Sequence, residues 1–148
     1  MTHRRRWSAD PLAMFKLVSK VTPYSEDDVV QLALPSRMAF EHIKNGTGEE
    51  DHFNELAVCI NSTLVMAEQI DPLCVETCKQ GQAALQRAKD RYLQIGRWGW
   101  DGPALQQIPA ALDLHEEVMR NSNPYVMTEA LKTQYQRIEK QKQGVFAL

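Results

Sequence analysis

"TGEEDHFNELAVCINSTLVMA", Thr47 to Ala67, decides how this chain is read. Phe53, Leu56, Ala57, Ile60, Leu64 and Ala67 recur at steps of three and four, which is one face of an α-helix. Val58, Cys59, Val65 and Met66 add apolar surface on other sides. A helix that is apolar on several sides needs neighbours on several sides, so this one is expected at the centre of a bundle. Thr47 and Glu50 have the spacing of a capping box and set its expected start.

Helix punctuation continues in both directions. Upstream, Ser25 precedes Glu26, Asp27 and Asp28, an N-cap followed by acids where the helix dipole favours them. Pro35 is expected to kink or restart that helix, with Ser36 as a new cap. Gly46 suits the left-handed position after its end. Downstream, Asp71 and Pro72 read as a cap and a first helical position. The next helix carries a seam of Cys74, Cys78, Gly81, Leu85, Ala88, Tyr92 and Ile95. Much of that seam is small, so a neighbouring helix can approach closely. Gly96 closes it. Asp101 and Pro103 open a further helix with a stripe of Leu105, Ile108, Leu112, His115 and Met119, in which Pro109 is expected to produce a kink. Asn123 and Pro124 start the last helix, which fades at Gly144.

No stretch alternates with period two between turn signals. The expected fold is therefore all-α, a single-domain bundle of about five to six helices joined by short capped turns. Residues 1–24 read as a basic arm and lead-in, and residues 25–148 as the bundle. A length of 148 residues suffices for a core without metal or disulfide support. A net charge of −2 argues against a surface coated with nucleic-acid contacts. No run approaches the roughly 20 apolar residues of a membrane helix. The opening "MTHRRRWSADPLAMF" is too interrupted for a signal sequence, and Cys59, Cys74 and Cys78 are an odd set. Together these features predict a cytoplasmic protein with reduced thiols and no membrane partner.

Candidate chemistry is sparse. Cys74 and Cys78 lie one helical turn apart and, with Cys59 or a histidine, have the makings of a zinc site. No tight Cys-x-x-Cys pair or second ligand pair accompanies them, so they are read as small buried hydrophobes, and no metal or cofactor is assigned. His115 beside Glu116 and Glu117 has the makings of a general base. Its place on an apolar stripe favours a hydrogen-bonded core histidine. His42 and His52 flank the turn "KNGTGEED". No nucleophile elbow, P-loop or dinucleotide fingerprint is present, and a non-enzymatic role is expected.

Two surfaces stand out. Arg4, Arg5, Arg6 and Trp7 form a basic arm with a stacking ring. Arg87 and Arg91, one turn apart, offer a second contact to phosphate or to an acidic partner. The other surface is "GRWGWDGP", Gly96 to Pro103. Arg97, Trp98, Trp100 and Asp101 there read as a partner-binding site, because Trp and Arg dominate interface hot spots. The competing reading is that both indoles cap the core. The spacing predicts one ring buried and the other partly exposed beside Arg97.

The block "MAFEHIKNGTGEEDHFNELAVCINSTLVMAEQ", Met38 to Gln69, and the opening "RRRWSADPL" resemble small uncharacterised α-helical proteins of bacteriophages and integrated mobile elements of Gram-negative bacteria. The shared pattern falls on Asp10, Gly46, Gly48, Asp51 and Asn61. It covers about the first two-thirds of the chain and excludes the tryptophan loop. The resemblance implies a phage or mobile-element context in a bacterial host cell and a binding rather than catalytic role. A protein partner is expected first and nucleic acid second. A homodimer is compatible with such a bundle.

Overall fold

A computed structural model describes residues 21–140. Five helices follow one another: α1 Glu26–Lys44, α2 Glu50–Ala67, α3 Pro72–Ile95, α4 Ala104–Arg120 and α5 Pro124–Glu139. No strand occurs among the described residues. The helices pack as one all-α bundle with α2 in the middle, against each of the other four. Phe53, Leu56 and Ile60 on α2 have no exposed surface. Around them lie Phe40 and Ile43 of α1, Leu85 of α3, and Ile108 and Leu112 of α4.

Most helix ends follow their caps. The Ser25 hydroxyl accepts the Asp28 N–H, and the Asp28 carboxylate accepts the Ser25 N–H. Asp71 accepts the Leu73 N–H at 2.7 Å, and Asn123 accepts the Val126 N–H at 3.0 Å. Gly96 ends α3 in the left-handed conformation (φ +72°). The small seam of α3 does bring α4 close. A Cβ placed on Gly81 would stand 3.0 Å from the Ala111 Cβ and 3.3 Å from Ile60 Cδ1.

Three expectations are corrected. Helix α2 begins after Glu49, two residues past Thr47, and Glu49 with His52 replaces the Thr47–Glu50 box. The Glu49 N–H reaches back to His52 Nδ1 at 2.9 Å. Thr47 instead folds onto the end of α1, donating its N–H to the His42 carbonyl at 2.9 Å. Gly48 accounts for the shift: a Cβ there would lie 2.8 Å from the Ile43 Cα, so the chain passes flush against α1 before α2 can start. Pro35 does not divide α1, which is continuous through it, and Ser36 is a buried core residue rather than a cap. Pro109 lies within α4, which runs on through it. The exposed end residues Leu105 and Ile95 leave their apolar stripes, and Ala104 and Ala111 fill the α4 face.

Ion pairs cross between helices at the surface. Arg37 of α1 grips Glu116 of α4 through two nitrogens at 2.9 and 3.1 Å and also reaches Asp113. Arg120 joins α4 to Glu26, and Arg137 joins α5 to Glu68. Surface pairs of this kind add little to stability, so they align helices that the core already holds.

Candidate functional site

Packing accounts for His115 and for the buried cysteines. His115 is 7% exposed and stands 2.8 Å from Thr63 Oγ1. Thr63 gives its one hydroxyl proton to the Cys59 carbonyl at 2.7 Å, so it must accept from His115 Nδ1–H. Burial pushes the His115 imidazole down to about 4, against the pull of Glu116 and with the help of Arg37. The ring is therefore neutral near pH 7. Glu116 is turned to Arg37 instead, so the expected core histidine forms without a carboxylate partner. Burial likewise pushes the Cys59 and Cys78 thiols up to about 12. A thiol held there carries almost no thiolate at neutral pH. Cys74 is half-buried. Among the described residues no group of three or more His, Cys, Asp or Glu side chains is placed to hold a metal ion, and no helix is long and apolar enough to cross a membrane.

The tryptophan loop buries one ring and leaves the other half-buried, as the spacing predicts, but Arg97 shares a cleft with the buried Trp98 rather than with Trp100. Trp98 is 7% exposed and lies in a stack, 4.7 Å from the Phe53 ring and 4.2 Å from Tyr92. Trp100 is half-buried, stacks on Phe40 at 5.7 Å and donates its indole N–H to the Phe40 carbonyl at 3.1 Å. Both indoles thus close the end of the core. Trp98 supports a surface here without forming its outer face. Asp101 is also committed: it accepts the Ala104 N–H at 2.9 Å and pairs with Arg87 at 2.6 Å. The Arg87 hydrogen bond holds the Asp101 carboxyl below its ordinary range. Arg87 donates to Gln107 as well, which separates it in role from Arg91. Arg4, Arg5, Arg6 and Trp7 lie outside the described residues.

Arg97 and Arg91 differ from the rest. Six arginines are described: Arg37, Arg87, Arg91, Arg97, Arg120 and Arg137. Four of them make ion pairs, whereas Arg91 and Arg97 make neither an ion pair nor a hydrogen bond. Both line one cleft of about 480 Å³, together with Tyr92, Trp98, Glu49 and Glu50. The cleft forms where the α1–α2 turn meets the α3–α4 loop, because Gly46 and Gly96 present backbone without a side chain there. Next to it, His42 and His52 stack at 4.4 Å and brace the α1–α2 turn. Tyr92, Glu49 and Glu50 were not among the binding residues expected from sequence. Tyr92 did carry a signal, as a seam residue four places before the helix-ending Gly96, but the approach of the two glycine turns carries none in a single chain. Comparison with known proteins finds no matching family model, no matching curated protein and no matching solved structure.

Proposed function

We propose that this is a non-enzymatic helical binding protein that engages a protein partner through the tryptophan-loop end of its bundle. One observation carries the proposal: the two described arginines without ion pairs both line the cleft at that end, against a rigid aromatic stack. An arginine that shares a cleft with aromatic rings and makes no hydrogen bond or ion pair in the isolated chain is the usual make-up of an interface hot spot. Trp98 and Trp100 fix the loop, so Arg97 is presented from a backbone that the core determines. The phage or mobile-element setting is part of the same proposal and rests on the likeness of Met38 to Gln69.

The test is affinity capture by the tagged full chain from the cells it comes from, before and after nuclease treatment. We expect a discrete protein that resists nuclease, is lost with Arg97→Ala and is retained with Lys79→Ala on the outer face of α3. Capture that is indifferent to Arg97, or that nuclease abolishes, overturns the proposal. The second outcome would favour a nucleic-acid accessory role.

A further inference from the structure

The same cleft permits a sharper statement about what it takes, which rests on the reading of this end as a binding surface. Its formal charge is balanced: Arg91 and Arg97 supply two positive charges, and Glu49 and Glu50 supply two negative ones. The two guanidiniums have no acceptor of their own, while Arg87, one turn before Arg91, is already filled by Asp101. Guanidinium groups bind carboxylates through paired, charge-assisted hydrogen bonds. A dianionic phosphate is also a guanidinium ligand, but here its second charge would face Glu49 and Glu50. A single carboxylate avoids most of that repulsion. Tyr92 and Trp98 add aromatic lining, which suits an apolar or aromatic neighbour on the ligand.

We infer that the cleft is a recognition site for a monoanionic carboxylate on an aromatic stem, the chemistry of a peptide carrying a carboxylate beside an aromatic residue. Arg91 and Arg97 hold the carboxylate, Tyr92 backed by Trp98 receives the stem, and Glu49 and Glu50 exclude dianions. The carboxylate is either a chain terminus or an acidic side chain.

Four probes separate these features, titrated into the full chain and followed by NMR at the arginine Nε–H and tryptophan indole signals. They are N-acetylphenylalanine, its carboxamide, N-acetyl-aspartyl-phenylalaninamide and phenyl phosphate. At least one of the two carboxylate probes is expected to shift the Arg91, Arg97 and Trp98 signals with about millimolar affinity, as a small fragment does. The first binding alone identifies a terminal carboxylate, and the third alone an acidic side chain. The carboxamide and phenyl phosphate should each bind at least about tenfold more weakly than the better carboxylate. Arg91→Gln with Arg97→Gln should abolish the shifts while the melting temperature stays unchanged, because both side chains are exposed and unbonded. Equal binding of the carboxamide, tighter binding of phenyl phosphate, or no shift at either arginine overturns the inference. Partner capture that depends on Arg97 without carboxylate binding would sink this inference alone and leave the binding surface in place.

Discussion

Lowering the pH should destabilise this bundle through one residue, His115. Its imidazole is held at about 4 in the folded chain, against about 6.5 when unfolded. The folded pKa is depressed, so the unfolded chain binds the proton more readily and stability falls as pH falls. The window runs from about pH 6.5 down to about pH 4. Linkage over that interval gives a loss of about 2 kcal/mol on going from pH 7 to pH 5, and about 3 kcal/mol by pH 4. Carboxylates titrate near the lower limit too, so the comparison must be differential. His115→Asn keeps a neutral side chain able to donate to Thr63 Oγ1 and removes the titration. Urea unfolding followed by circular dichroism at pH 7, 6, 5 and 4.5 yields both curves. The variant should be less stable than the parent at pH 7 and should lose less as the pH drops, so that the difference narrows by about 2 kcal/mol at pH 5. Parallel pH dependences for the two proteins would show that His115 is not buried as a neutral ring, and the packing of α4 on α2 would have to be redrawn.

Other perturbations separate structural from surface roles. Ile60→Asp places a charge where no side-chain surface is exposed, on the helix that touches all the others. A cost of several kcal/mol and loss of cooperative unfolding by circular dichroism are expected. Trp98→Ala should cost about 3–5 kcal/mol in urea unfolding, whereas Arg97→Ala should stay within about 0.5 kcal/mol of the parent. Similar costs for the two would place the loop's contribution elsewhere. Gly48→Ala drives a methyl group into the Ile43 backbone and should cost about 1–3 kcal/mol, read as a lowered melting temperature.

Much of the fold was legible because helix ends are written locally. Ser25, Asp71 with Pro72, Gly96, and Asn123 with Pro124 each act on neighbours within a turn, and each marks a real boundary. The apolar face of α2 and the small seam of α3 were legible for the same reason. A restart at Pro35 misled because the effect of proline is also local but conditional. Pro35 removes one helix hydrogen bond on an exposed face, and Val29, Ala33, Phe40 and Ile43 keep α1 docked on both sides of it. Thr47 and Glu50 misled because two overlapping boxes fit one turn, and the contact of Gly48 with Ile43 selects the later one. In the tryptophan loop the separation of the rings followed from spacing. The sandwich of Trp98 between Phe53 and Tyr92 did not, since those rings come from different helices. The cleft was least legible, because it depends on which arginines find partners. Nothing local distinguishes Arg87, hydrogen-bonded to Asp101, from Arg91, whose charge acts on Asp101 without bonding to it.

A photo-crosslinker at the tryptophan-loop end reads out whether a protein partner is bound there. A benzophenone amino acid at position 97 of the full chain is irradiated in the source cells, with the same group at position 79 as the control. A discrete protein adduct is expected from position 97 that survives nuclease and is missing from position 79. Identical adduct patterns from the two positions, no adduct from position 97, or an adduct that nuclease removes would contradict it.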